Sequence, residues 1–377
     1  MGISHLCWVF LLATVAVSAG DLNVLTGIRN NTPWSHFLIE GSKAAGNGQY
    51  ALAAAAFESA TRAIPRTTRE NRLELAVALD ALGVCNSKLG HQLAAEPLYK
   101  GAIAIRRELL GSHNIMVAAG LNNLADVYTT MGRHEQARRC QVEALRIDEG
   151  ALGESSPLVA NDYNNLGVTY ANLHKFSDAE RALHRALEIG SSSAPLHPRL
   201  SEFTGNLASL LAVLNHVEEA EGMHERVLAM QVKDRGRTHI SVGLTLVHLA
   251  DCEIKLKRYT TAVRHAAEAV GILRRGLGEH NPRTGWAYFA LARAYEKLKR
   301  TDLAQPAIEM VLEIDKDAVM DPSDRSSHLR EFAVVMRGQG KKDEAKAAEE
   351  RAAEIDEQDA DEALSRQTVD VKALGAR

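Results

Sequence analysis

Aromatic residues are scarce in this chain. Seven Phe, eight Tyr and three Trp make up 5% of its 377 residues. With alanine plentiful, that scarcity favours close-packed helices over strands. Charge of one sign is also missing: 44 Lys and Arg against 48 Asp and Glu leave a formal net charge of −4. So small an imbalance gives no basic surface for nucleic acid. Cysteine is rare, and Cys85, Cys140 and Cys252 form no CxxC and no Cys/His spacing suited to zinc. They read as buried structural thiols. Catalytic motifs are absent as well. His134-Glu135-Gln136 and His224-Glu225-Arg226 complete no HExxH, and no GxSxG or phosphate-cradling glycine loop occurs. His113, His197, His239 and His280 recur in connections, one or more repeats apart, which is too far to share a metal. The chain reads as a non-enzyme without metal or cofactor.

The apolar run Leu6–Val17 is too short to span a bilayer comfortably, since a helix needs roughly 20 apolar residues. It ends in Val17-Ser18-Ala19, a small-residue cleavage pattern. Residues 1–19 are therefore expected to be a secretory signal peptide, leaving no membrane span in the mature chain and placing it in the periplasm or outside the cell. The run lacks the usual preceding Lys or Arg, and an uncleaved anchor is the alternative. Residues 20–34 carry Asn30-Asn31 and Thr32-Pro33 without periodicity and read as a linker.

What the chain has in abundance is repetition. Leu124, Ala125, Tyr128, Gly132, Ala137 and Ala144-Leu145 are matched forty-two residues later by Leu166, Gly167, Tyr170, His174, Ala179 and Ala186-Leu187. An alanine recurs at 53, 95, 137, 179, 220, 262, 304 and 345, at intervals of 41 or 42. Leu82, Leu124, Leu166, Leu207, Leu249, Leu291 and Phe332 form a second series in phase with it. Between the two series stand Gly48, Gly90, Gly132, His174, Asn215, Lys257, Lys299 and Gly340, which mark a turn.

Each unit reads as two helices. Tyr163, Leu166, Gly167 and Tyr170 share one helical face, as do Ala179, Leu183, Ala186 and Leu187. Gly167, Ala179 and Ala186 let the two backbones approach closely. Neither helix can bury its stripe alone, so each hairpin must pack on the next. Pro157, Pro198 and Pro282 fall between units, where the preceding helix has ended. The expected fold is an all-α solenoid of eight stacked antiparallel hairpins over residues 35–358. The second helix of the last hairpin, Asp343–Asp356, is acidic or alanine on most faces, as a terminal cap should be. Residues 359–377 lose the period and are expected to be a disordered tail.

The order Tyr163-x2-Leu166-Gly167-x2-Tyr170, then Ala179, Ala186 and a proline, resembles the tetratricopeptide consensus. That family's usual unit is about 34 residues, and this one is longer. The longer unit, with Asn122-Asn123-Leu124-Ala125, Ala144-Leu145-Arg146-Ile147, Leu152-Gly153 and Pro157, is similar to the kinesin light chain class of repeat. The heptad region of a kinesin light chain is absent.

The resemblance assigns binding to the concave face, formed by the first helix of each hairpin. The position before the repeated Leu is Asn123, Asn165 and Asn206 in successive copies. Asn122, Asp126, Thr129, Asn161, Asn164, Asn172 and Ser209 flank them, with His248 and Asp251 in the next copy. An amide carries both donor and acceptor, so one Asn per repeat suits the N–H and C=O groups of an extended peptide. Related proteins use the equivalent Asn on peptide backbones, as the resemblance implies. Two readings of these amides stand: they hold a partner, or they bridge and cap neighbouring helices. Arg293, Lys297 and Arg330 are the candidates for a carboxylate clamp. The function expected is a protein–protein adaptor holding a peptide or partner protein, the alternative being a self-assembling scaffold of an exported complex.

Overall fold

A computed structural model describes residues 32–193, 197–317 and 322–374. The expected signal peptide and nearly all of the linker lie outside them. Among the described residues there are sixteen helices, forming eight hairpins, and no strand. They fall into two compact units, divided after Phe203.

The first unit contains α1 (Ser35–Gly46), α2 (Tyr50–Ala63), α3 (Arg69–Lys88), α4 (Gln92–Leu110), α5 (Ile115–Thr130), α6 (His134–Leu152), α7 (Pro157–Asn172), α8 (Phe176–Ser192) and the start of α9 (Leu200–Val213). The second unit holds the remainder of α9, then α10 (Val217–Arg235), α11 (Ile240–Lys255), α12 (Tyr259–Leu277), α13 (Pro282–Lys297), α14 (Thr301–Asp317), α15 (Pro322–Gly338) and α16 (Lys342–Leu374).

Every hairpin turn is made the same way. The eight turn residues anticipated from the period all have positive φ, from 55° at His174 to 81° at Gly90 and Gly340. The residue after each closes the helix by donating its N–H to the carbonyl five residues back, as in Arg133 N to Tyr128 O at 2.8 Å and Arg258 N to Glu253 O at 2.7 Å. First helices begin on side-chain caps: Thr68, Asn114, Ser156, His239 and Asn281 each accept a backbone N–H of the first turn. Pro157 and Pro282 follow Ser156 and Asn281 at the first helical position.

The eight phase-marking alanines are all fully buried. They leave room for the facing helix, and where that is still too close the first helix uses glycine. A Cβ on Gly167 would lie 2.6 Å from Leu183 Cγ, and one on Gly83 would lie 2.9 Å from the Tyr99 ring. Full burial of a side chain such as Leu183 stabilises each hairpin by about 1.5–3 kcal/mol. Trp34, at the sequence boundary of the linker, belongs to this core. It is buried, and its Nε1 donates to Glu74 Oε2 at 2.6 Å. At the other end, α16 buries only Ala345, Ala348 and Ala352 among its described side chains. Its backbone stays helical through Leu374, beyond residue 358 where the repeat period is lost.

Successive hairpins meet at one recurrent set of positions: two residues before the repeated Leu, eleven after the repeated Ala, and four before the next Leu. Asp80, Arg106 and Gly120 occupy it at one junction, where Arg106 pairs with Asp80 and its Nη1 donates to Met116 O at 3.3 Å. Gly120 leaves that guanidinium its space. At the next junction the set is Asn122, Asp148 and Asp162, with Asn122 Nδ2 donating to Asp162 Oδ1 at 2.6 Å. In the second unit it is Gln231 with Thr245, bonded at 2.9 Å, and Asp315 with His328, also at 2.9 Å. A buried polar contact, different each time, fixes the register of several junctions.

Candidate functional site

The two Asn of each Asn-Asn pair point to different places. Asn122 turns to the next hairpin and bonds Asp162. Asn164, fully buried, does the same in α7, its Nδ2 lying 3.4 Å from Glu202 Oε1. Asn161 Oδ1 accepts from Arg199 Nη1 at 2.9 Å, and Arg199 also bonds Glu202. These three amides join hairpins. Asn123 and Asn165 remain half-buried on the face of α5 and α7. The Asn123 side chain makes no hydrogen bond among the described residues, and Asn165 Oδ1 receives only a 3.5 Å contact from Asn164.

Below Asn123 on α5 lies Asp126. Its side chain is open to solvent, yet partial desolvation of the carboxylate raises its pKa, against the pull of Arg199 and Lys88. Thr129 Oγ1 is spent on Ala125 O at 2.9 Å, and Asn172 is exposed at the end of α7. The first unit thus gathers Asn123, Asp126 and Asn165 on an open face and removes Asn122, Asn161 and Asn164 to the junctions.

In the second unit Asn206 and Ser209 are half-buried on α9. His248 and Asp251, one turn apart on α11, repeat the pattern of an accessible but enclosed pair. Burial lowers the pKa of His248 and raises that of Asp251, with each partly offsetting the other's shift. Asp251 Oδ1 accepts from Arg293 Nη1 at 2.7 Å, and Arg293 also lies over the Phe289 ring. Behind His248 stands fully buried His224, its ring stacked at 5.1 Å between centroids. Sequence reasoning met His224 only in an incomplete HExxH and missed its place behind His248, because that contact between α10 and α11 follows from packing and not from spacing. The clamp candidates are each paired within the chain: Arg293 with Asp251, Lys297 with Glu296 at 2.8 Å, and Arg330 with Asp356.

Among the described residues no three His, Cys, Asp or Glu side chains converge as metal ligands would, and no helix is long and apolar enough to cross a membrane. Cys85, Cys140 and Cys252 are free thiols, each pushed up to about 11, chiefly by burial. A thiol held so far above neutrality is protonated and unreactive.

A family model described as tetratricopeptide repeat matches residues 116–192 and 241–317, and a second so described matches residues 75–115. Together they span just over half of the chain. No curated protein sequence matches it. Among solved structures, the apo form of RapI is similar at 14% identity and a TM-score of 0.67, with 91% of each chain covered. The apo form of the quorum sensor NprR from B. thuringiensis is similar at 13% identity and a TM-score of 0.67, covering 89% of this chain and 88% of that one. BtubC (BKLC) from P. vanneervenii is similar at 22% identity and a TM-score of 0.51, covering 60% of this chain and 91% of its own. At such identities the likeness is one of fold.

Proposed function

Because this chain belongs to the tetratricopeptide repeat family, we propose that it is a non-enzymatic adaptor whose first-helix face holds an extended segment of a partner protein. The observation that carries the reading is the division of labour between Asn122 and Asn123, and again between Asn164 and Asn165. One amide of each pair joins hairpins, while the other stays on the open face at the same place in its repeat. An amide presented once per repeat pairs with a peptide's backbone N–H and C=O without reading its side chains. Asp126 adds a desolvated carboxylate beside Asn123, which favours a segment bringing a donor or a cation to that point.

The test is a selection of random displayed peptides on the whole chain, followed by affinity measurement on the Asn123→Ala, Asn165→Ala, Asn206→Ala triple variant. Selected peptides should lose binding at least tenfold, with helicity and melting unchanged. Equal binding by the triple variant overturns the proposal. Export through the apolar run Leu6–Val17 is part of the same reading. N-terminal sequencing of the chain recovered from its native compartment tests it, and a start at Met1 rejects cleavage.

A further inference from the structure

Asp148 on α6 and Asp162 on α7 are both fully buried, with their carboxyl groups within hydrogen-bonding reach of each other. As two carboxylates they have no proton to share, and Asp148 Oδ1 and Asp162 Oδ2 are then buried acceptors without a donor. One proton on Asp162, donated to Asp148, satisfies both oxygens at once. Asn122 Nδ2 closes the set by donating to Asp162 Oδ1. One junction earlier the same positions hold a carboxylate and a guanidinium, Asp80 and Arg106, so the charge is balanced there by a side chain. Between α6 and α7 the balancing charge must be a proton.

We propose that the α6–α7 junction is a proton-operated joint, closed while Asp148 and Asp162 share one proton and loosened when both ionise. Among the described residues no cation acts on the ionised pair. The influences on Asp162 are Asp148, Asn122 and Glu149, and Glu149 is itself engaged by Tyr163 Oη at 2.7 Å. Arg185 on α8 acts on Tyr163 and is paired with Glu188. Burial raises both aspartates above the ordinary value, which supports the geometry. The joint lies between the hairpins that present Asn123 and Asn165, but its operation does not depend on what that face binds.

Hydrogen exchange of the intact chain, corrected for intrinsic rates, reads the joint directly. Between pH 5 and pH 8, amides of α6 and α7 should lose protection by about tenfold or more relative to α3 and α4, since one unit of pKa displacement corresponds to tenfold in an equilibrium. Asp162→Asn copies the protonated form, donating to Asp148 at every pH, and should remove that loss. Asp148→Asn serves if the first variant folds poorly. The infrared carbonyl band of a protonated carboxylic acid should persist at pH 7 in the natural chain and vanish in Asp162→Asn. A natural chain whose protection is flat across this range, the same loss in both variants, or no protonated carboxyl at pH 7 overturns the proposal.

Discussion

Arg106 and Asp148 occupy the same position in consecutive hairpins and carry opposite charge. Arg106 is buried against Asp80, while Asp148 is buried against another aspartate. The backbone around them is equivalent, so side-chain chemistry alone gives one junction a cation to face its carboxylate and the other a second carboxyl group. The residue facing each follows suit: Gly120 leaves space for the guanidinium, and Asp162 fills the matching place with a proton carrier.

Asp80→Asn should therefore be costly. It removes the carboxylate from a guanidinium that has no route to water, and breaking a buried pair from one side costs about 3–5 kcal/mol. Urea unfolding followed by circular dichroism should show the loss at pH 7. A change below about 1 kcal/mol would mean that Met116 O alone suffices for Arg106.

Asp148→Asn should act in the other direction. Burial raises the Asp148 pKa from 3.8 to about 6, and raises that of Asp162 as well. A raised folded-state pKa means that the stabilising proton is fully present below the unfolded value and lost as pH rises through the folded one. The natural chain should lose stability between about pH 4 and pH 7, and the variant should lose less. Melting temperatures taken across that range provide the check, the sign of the difference being the outcome that matters.

Lys257→Gly should stabilise. Lys257 sits at φ 61°, where a side chain costs about 1–2 kcal/mol that glycine avoids. In half of the hairpins the same turn is already glycine. A gain of about 1 kcal/mol is expected, read as a raised melting temperature of the second unit. The reverse change, Gly132→Lys in the first unit, should cost a similar amount.

These turns show how much the sequence disclosed. All eight turn residues were legible because a backbone demand recurs at the same step of every repeat, whichever residue meets it. The helical hairpins, their small-residue seams and the family resemblance followed from the same periodicity. The site was legible only in part. Asn122 and Asn123 are neighbours on one helix, about 100° apart, and spacing alone cannot say which of them faces the next hairpin. That is settled by Asp162, forty residues away, which no local pattern places beside Asn122. Arg199 and Glu202 drew Asn161 and Asn164 from the open face in the same manner. Contacts across junctions depend on the relative rotation of consecutive hairpins, and no local pattern encodes it.

Gly167→Ala should destabilise the fourth hairpin. The added methyl would meet Leu183 at 2.6 Å and the Ala179 carbonyl at 3.3 Å, so both the side chain and the seam must give. Overpacking of this kind costs about 1–3 kcal/mol. Alanine is tolerated at the same repeat position by Ala125, where the residue corresponding to Leu183 is Gln141. The double change Gly167→Ala with Leu183→Ala should recover part of the loss, and a cycle of the two measured by thermal melting isolates their coupling.

His224 carries the last expectation, one of acid sensitivity. Its ring is buried behind His248, neither nitrogen has a partner among the described residues, and burial, reinforced by His248, pushes its pKa down to about 3. A histidine held neutral in the folded chain and free to charge in the unfolded one stabilises above the ordinary value of 6.5, and that stability is lost as pH falls through the range down to about 3. At pH 5 the penalty is about 2 kcal/mol, from one and a half units at 1.36 kcal/mol each. His224→Gln removes the titration while keeping a side chain that the chain already uses at the equivalent Gln141. Melting of the second unit should fall between pH 7 and pH 5 in the natural chain and hold nearly level in the variant. An equal fall in both would show that His248, whose pKa burial also lowers, governs the acid limb instead of His224.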